Sequence, residues 1–242
     1  MKYVFDIDGT LSFNGVSIDQ EIVEALLKLE TNGNEVIFAS ARPIRDMMEI
    51  VPKEFHHATW IGGNGAFTKT EQGIEAKHLT QDIYEPILNH VIDKDYDYMI
   101  DSDWDFAFKG DLNGSFYPQV NSHLAKHLQL SELNTINKIL IFEPSLDTIE
   151  FLKAQDVVIT QHSREHLIDI SPKNCSKSSA INGLRITEYV AFGNDANDVP
   201  MFKNSIRSYC VGESDYAKHA TNTISRDNVA KTILDQINLT NN

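Results

Sequence analysis

The sequence is poor in cysteine and in positive charge, and it has no long apolar run. Its two cysteines, Cys175 and Cys210, lie far apart without metal-ligand spacing, which is typical of a reduced compartment. It has 21 Lys and Arg against 35 Asp and Glu residues, a formal net charge of −14. Such a chain repels nucleic acids and anionic membranes, and no window approaches the roughly 20 apolar residues of a membrane span. We expect a cytoplasmic protein that binds neither nucleic acid nor membrane.

The chain nevertheless contains enough apolar material for a core, because 41% of its 242 residues are hydrophobic. Predicted strands alternate with predicted helices up to Ile61 and again after Ser171, which is typical of an α/β fold with a parallel sheet. Between these regions, paired strands beside helices predict a separate α+β module. We expect a discontinuous core over residues 1–78 and 165–242, interrupted by an inserted domain over residues 79–164.

Asp6 and Asp8 follow the first predicted strand, in the segment Asp-Ile-Asp-Gly-Thr. Ligands of open parallel sheets bind at the carboxyl ends of the strands, and two carboxylates there suit Mg²⁺. A carboxylate is also a competent nucleophile toward phosphorus once a metal screens the repulsion between them. A simple turn built on Asp8 and Gly9 explains the same residues about equally well.

Polar residues also follow other predicted strands or begin helices. Ser40 ends the second strand, where a hydroxyl and backbone amides can hold a phosphate, although an ordinary helix cap is the commoner explanation. Arg42 beside it can reach an anion or remain a surface cation. Lys177 can neutralise a phosphoryl group or be solvated. The loop Gly193–Asp198 is rich in Asn and Asp, which suits either a cation site or a surface loop.

These four clusters, in this order, resemble the motifs of the haloacid dehalogenase (HAD) superfamily of phosphatases. The insert between the second and third motifs, with the run from Phe192 to Met201, resembles the Cof-type branch, subfamily IIB. The resemblance spans essentially the whole chain. It implies a Rossmannoid core that carries an inserted α+β cap of the C2 type.

The resemblance also implies a mechanism. Asp6 would attack phosphorus and form an aspartyl-phosphate, and Asp8 would act as general acid and then as general base. Mg²⁺ would be bound by Asp6, by the backbone carbonyl of Asp8 and by the fourth motif. Binding of phosphate or substrate is implied for five residues: Ser40, Ala41, Arg42, Lys177 and Asn197.

The fourth motif departs from the family pattern, because Asn194 stands where the family usually has Asp. Either Asn194 coordinates through its amide oxygen, or Asp195 or Asp198 takes the ligand position. The resulting prediction is a magnesium-dependent phosphatase for sugar phosphates or similar small metabolites, acting as a monomer or small homo-oligomer. A phosphomutase and a catalytically silent protein that binds phosphorylated metabolites are the alternatives.

Overall fold

The computed structural model of the chain describes residues 1–114, 120, 123–162 and 166–240. Its strands, in chain order, are β1 (Lys2–Phe5), β2 (Glu35–Ala39), β3 (Thr59–Gly62), β4 (Phe67–Thr70), β5 (Gly73–Ala76), β6 (Tyr98–Asp101), β7 (Phe106–Lys109), β8 (Lys138–Phe142), β9 (Val157–His162), β10 (Leu167–Pro172), β11 (Tyr189–Gly193), β12 (Arg207–Val211) and β13 (Asn222–Ile224). Its α-helices are α1 (Gln20–Thr31), α2 (Ile44–Ile50), α3 (Gln81–Asp93), α4 (Leu146–Lys153), α5 (Lys177–Gly183), α6 (Val199–Asn204) and α7 (Val229–Thr240).

The chain forms two compact units, of which the first combines Met1–Ile74 with the residues from Ser176 onward. Its sheet has the order β13-β12-β11-β1-β2-β3-β4-β5. The strands from β13 to β3 are parallel, and β4 pairs antiparallel with β3. This is the predicted α/β architecture, a parallel-sheet core interrupted by an insert.

Both faces of the central strands are buried, so these strands are apolar throughout rather than alternating. Val4 lies level with Ile37 of β2 and Ala191 of β11, and this face packs against α5 and α6 in one apolar cluster. On the other face Phe192 stacks on Phe5 with ring centroids 4.8 Å apart. Two covered faces leave only the strand ends open to a ligand.

The second face is covered by α7 and α1. Phe192 stacks on Tyr209 of β12, whose hydroxyl accepts a hydrogen bond from Gln236 of α7 at 3.1 Å. Helix α1 packs against α7, and it has a buried stripe at helical spacing, which comprises Ile22, Val23, Ala25, Leu26 and Leu29. Because the strands from β13 to β3 pair in parallel, their carboxyl ends lie along one edge of the sheet.

The second unit comprises Glu75–Cys175. Its five-stranded sheet has the order β7-β6-β8-β10-β9, and every neighbouring pair is antiparallel. Helices α3 and α4 pack on one face, where Ile139 and Ile141 of β8 lie. Leu140 belongs to a second cluster with Met99 and Phe106. This is the predicted α+β module.

The observed boundaries differ from the predicted ones. The predicted division between residues 164 and 165 lies outside the described residues, but it assigns the whole of β10 to the core. In the structure β10 pairs with β8 and β9, because its apolar residues complete the second sheet. Strand β4, which pairs antiparallel with β3, and its neighbour β5 were also not predicted. None of the helices in the described ranges is long and apolar enough to cross a membrane.

Candidate active site

The site lies at the carboxyl ends of β11, β1 and β2, which are adjacent in the sheet. The chain turns sharply after β1, because the amides of Thr10, Leu11 and Ser12 all donate to the carbonyl of Ile7. The amide of Asp6 donates to the carbonyl of Phe192 at 2.9 Å. Asp6 is thus held beside the start of the fourth motif.

Asp6 is buried and paired with a buried lysine. Its Oδ1 accepts a hydrogen bond from Lys177 Nζ at 2.5 Å, and its Oδ2 accepts one from Thr10 Oγ1 at 3.0 Å. The side chain of Lys177 is 0% exposed and that of Asp6 is 7% exposed. Lys177 opens α5, whose first turn is capped by the Ser176 hydroxyl. Thr10 had no predicted role, although it belongs to the segment that marked Asp6.

Lys177 serves a second carboxylate. Its Nζ donates to Asp198 Oδ1 at 2.7 Å, and Asp198 Oδ2 accepts from the backbone amides of Asn194 and Asp195 at 2.8 and 3.1 Å. The Asp198 side chain is fully buried. It therefore shapes the fourth loop and anchors the lysine. One ammonium group between two carboxylates leaves one negative charge uncompensated when all three are ionised.

This charge imbalance shifts the acid–base behaviour of the pair. Burial raises the pKa of Asp6 to about 7, and the charge of Asp198 adds to the rise, whereas Lys177 opposes it. Burial alone would lower the pKa of Lys177, but Asp198 and Asp6 outweigh it and raise that pKa, so the ammonium stays protonated. A site with excess negative charge in a low-dielectric surrounding favours a bound cation.

Asp8 is more exposed than Asp6, and its partner is Arg42. Arg42 Nε donates to Asp8 Oδ2 and Nη2 donates to Oδ1, both at 2.8 Å, while Nη2 also reaches the carbonyl of Gly15 at 3.0 Å. The Asp8 side chain is 42% exposed. The sequence predicts substrate binding by Arg42, whereas the structure places its guanidinium on the carboxylate next to the predicted nucleophile.

Ser40 lies at the end of β2 and is buried. Its Oγ accepts from the amide of Arg42 at 3.1 Å, and its carbonyl accepts from the amide of Asn64. The loop Gly62–Gly65 therefore folds against the Ser40-Ala41-Arg42 turn. Gly65 has φ +97°, and a Cβ there would lie 2.3 Å from the carbonyl oxygen of Ser176, so this loop also contacts the start of α5.

The fourth loop reaches the same Gly-rich loop through Asn197. Its Nδ2 donates to Asn64 Oδ1 at 2.9 Å, and its own Oδ1 is buried without a hydrogen-bond partner. A buried amide oxygen without a donor is costly, so a ligand that offers one would be stabilised here. Asn64, in the left-handed conformation with φ 54°, is a residue to which the sequence assigned no role.

Of the three fourth-motif residues left open by the sequence, Asn194 lies beside Asp6. One end of its side-chain amide is 2.9 Å from Asp6 Oδ2 and 3.0 Å from the carbonyl oxygen of Asp8. The Asp195 side chain accepts from the amide of Ala196 instead. Within the described residues no group of three or more His, Cys, Asp or Glu side chains could hold a metal. A carboxylate, a main-chain carbonyl and an amide nevertheless form an all-oxygen set that fits Mg²⁺.

The sequence as a whole matches a known family. The model of the haloacid dehalogenase-like hydrolases matches residues 3–237. The chain belongs to this family. An HMP-PP phosphatase of Citrobacter koseri is 25% identical to it over 229 residues, which cover 87% of this chain and 83% of that protein. The predicted family and the prediction of a HAD-type phosphatase are thereby confirmed.

Solved structures support the fold of this family member. A HAD subclass IIB sugar phosphatase, BT4131, superposes with a TM-score of 0.76 at 16% identity, covering 97% of this chain and 98% of that chain. A haloacid dehalogenase-like hydrolase from B. subtilis reaches 0.79 at 20% identity, with 96% and 99% covered. TM0651 from Thermotoga maritima reaches 0.78 at 20% identity, with 96% of each chain covered. The predicted fold class is confirmed.

Proposed function

We propose that this HAD-family phosphatase hydrolyses phosphomonoesters of small metabolites through an aspartyl-phosphate on Asp6, with Mg²⁺ as cofactor. The observation that carries the proposal is the environment of Asp6. Its carboxylate is buried and paired with Lys177 through one oxygen, while the other oxygen lies beside the Asn194 amide, which is also close to the carbonyl oxygen of Asp8. A nucleophile, a cationic clamp and an oxygen-rich cation site meet at one strand end.

In the first step a carboxylate oxygen of Asp6 forms a bond to phosphorus while the bond from phosphorus to the ester oxygen breaks. Lys177 stabilises the negative charge of the phosphoryl oxygens. Asp8 gives its proton to the leaving oxygen, which departs as the alcohol. Mg²⁺ bound by Asp6, the Asp8 carbonyl and Asn194 would screen the repulsion between the carboxylate and the phosphate.

In the second step water attacks the phosphorus of the aspartyl-phosphate, and Asp8, now ionised, accepts the proton of that water. The bond between phosphorus and Asp6 breaks, which releases phosphate and regenerates the carboxylate. Arg42 holds both oxygens of Asp8, so it orients this acid and base; the ion pair must loosen whenever Asp8 carries a proton. The partial exposure of Asp8 allows it to meet a leaving group and water.

We assign phosphate binding to Ser40, Ala41 and Lys177, and substrate binding to Asn197. Lys177 donates beside Asp6, and a chain of net charge −14 needs such a placed donor for an anion. The buried Asn197 oxygen only accepts, so it suits a hydroxyl group of the substrate. Sugar phosphates and similar small metabolites are the proposed substrates. This choice is supported by relatives whose names describe a sugar phosphatase and an HMP-PP phosphatase.

The test is release of phosphate from a generic aryl phosphate with and without Mg²⁺. We expect magnesium-dependent turnover that Asp6→Asn lowers by at least about 10³-fold, because loss of a nucleophile removes the covalent route. The matched control is Asp215→Asn, the same chemical change at an exposed position of the same unit, which should retain the wild-type rate. Full turnover in Asp6→Asn would exclude this nucleophile.

Asn194 favours one other candidate, a protein that binds phosphate esters without turnover, because it removes a negative charge from the cation site. Calorimetry with a panel of phosphorylated metabolites in saturating Mg²⁺ separates the two. Tight binding without release of phosphate supports the silent protein. Isomerised sugar phosphate without free phosphate would instead indicate a phosphomutase.

A further inference from the structure

The Asn194 side chain lies among groups that accept hydrogen bonds. The amide end that faces Asp6 is 2.9 Å from its Oδ2, 3.0 Å from the Asp8 carbonyl oxygen and 3.1 Å from Thr10 Oγ1. Asp6 Oδ2 when ionised and the Asp8 carbonyl can only accept. An NH₂ group facing them satisfies both acceptors, whereas an amide oxygen facing them is stable only with a cation between the three oxygens.

We propose that Asn194 is a cation-dependent amide switch. Without a divalent cation its NH₂ group donates one N–H to Asp6 Oδ2 and the other to the Asp8 carbonyl oxygen; when the cation binds, the amide turns over and presents Oδ1 as a ligand. The inference rests on the cation site of the proposed function and concerns a residue that differs from the acid expected at this position. An aspartate could not make this exchange, because a carboxylate has no N–H group.

The packing around Asn194 is consistent with rotation of the amide alone. Its other end faces Gly9, where a Cβ would lie 2.4 Å from the nearest amide atom. Gly9 has φ +80°, a conformation that favours glycine over residues with side chains. Glycine therefore leaves the amide the space of a missing methyl group, and the backbone on either side need not move.

The identity of residue 194 affects both the stability of the cation-free site and its affinity for Mg²⁺. An aspartate at position 194 would place a second carboxylate within about 3 Å of Asp6 Oδ2, in a buried site where like charges repel strongly. It would bind a divalent cation more tightly but would destabilise the cation-free protein. Asn194 instead supplies donors when the cation is absent, so the empty site stays intact and binds Mg²⁺ more weakly.

The first test compares Asn194→Asp with wild type, using the full chain and Mg²⁺ alone as the ligand. We expect Asn194→Asp to melt lower than wild type in EDTA and to bind Mg²⁺ at least tenfold more tightly by calorimetry. The control Gln72→Glu adds the same charge in the exposed turn between β4 and β5 and should match wild type in both. Equal melting in EDTA, or equal Mg²⁺ affinity, overturns the switch.

The second test reads the amide directly. The side-chain NH₂ signals of Asn194 in a ¹H–¹⁵N spectrum are identified by their loss in Asn194→Asp. We expect slow hydrogen exchange of these signals in EDTA, and a shift with faster exchange in saturating Mg²⁺, because the NH₂ group leaves its acceptors. Signals that stay unchanged overturn the switch, whether Mg²⁺ fails to bind or binds without moving the amide.

The two proposals can fail separately. Magnesium-dependent hydrolysis of aryl phosphate with an unresponsive Asn194 amide leaves the phosphatase standing and removes the switch. If the Asn194 amide signals respond to Mg²⁺ but the protein hydrolyses no phosphate ester, the switch is supported and the proposed phosphatase activity is rejected.

Discussion

Each of the two units buries a carboxylate against a lysine, but with opposite effects on the acid. In the second unit Asp169 of β10 pairs with Lys138 of β8 at 2.9 Å, both nearly inaccessible, and His162 and Ser171 lie within reach of the same carboxylate. Burial would raise the pKa of Asp169, but Lys138 and His162 lower it more. In the first unit burial raises the pKa of Asp6 to about 7 despite Lys177.

The difference is one of charge count. Asp169 has a lysine, with a histidine nearby, whereas Asp6 and Asp198 share Lys177. A carboxylate with enough partners stabilises a sheet, and one with too few is ready to bind a cation or react. A shifted pKa of a buried acid is thus informative about function only when the direction of the shift and the charged partners of the acid are known.

Replacing each lysine by methionine tests this comparison with the largest expected effect. Both Lys177→Met and Lys138→Met leave a buried carboxylate without its main partner and should lower the free energy of unfolding by about 3–5 kcal/mol. Only Lys177→Met should also lower the hydrolysis of aryl phosphate per folded molecule, by about 10²–10³-fold. Denaturant titrations and rates at low temperature measure both effects. An equal loss of rate in Lys138→Met would place the second unit's pair in the chemistry.

Removing each carboxylate should give changes in stability of opposite sign. At pH 8 in EDTA, Asp169→Asn leaves Lys138 without its main partner and should destabilise the protein by about 3–5 kcal/mol. Asp6→Asn relieves an uncompensated charge, while Lys177 keeps Asp198, so we expect stabilisation of roughly 1–4 kcal/mol. Thermal unfolding of the two variants measures this. Destabilisation by both would mean that Lys177 compensates Asp6 fully.

The pH dependence of these two variants sharpens the same test. The folded-state pKa of Asp6 is raised from 3.8 to about 7, so its stabilising contribution is complete below pH 4 and is lost as the pH rises through 7. The advantage of Asp6→Asn should therefore grow from pH 4 to pH 7. The pKa of Asp169 is lowered, so its contribution is lost in acid, and the penalty of Asp169→Asn should shrink below pH 4.

A smaller effect is expected at the more exposed pair of Asp8 and Arg42. Arg42→Lys keeps the charge but loses the two-point contact, so Asp8 should be less well oriented and kcat should fall by about 10-fold with KM nearly unchanged. A raised KM with unchanged kcat would instead indicate that Arg42 binds substrate.

Part of this site could be predicted from the sequence, because parallel strands place their carboxyl ends at one edge of the sheet. Asp6, Ser40 and Asn194 each follow an apolar strand, and Lys177 opens a helix, so a predicted parallel sheet already brings them together. The turn after Asp8 was predictable for a different reason, because Asp and Gly are residues that favour turns. The assignment of β10 was not, because antiparallel pairing with β8 and β9 depends on contacts between distant segments.

The sequence by itself determined the family, the α/β core with its insert, and the identity of Asp6 as the carboxylate at the first strand end. Only the tertiary structure decided which groups face that carboxylate. Lys177 is 171 residues away, and among Asn194, Asp195 and Asp198 the loop conformation alone turns one side chain toward Asp6, one outward and one to the lysine. The local sequence shows which residue types follow each strand. Contacts between distant segments at the sheet edge determine which of these residues pair, and therefore how the charges of the site are balanced.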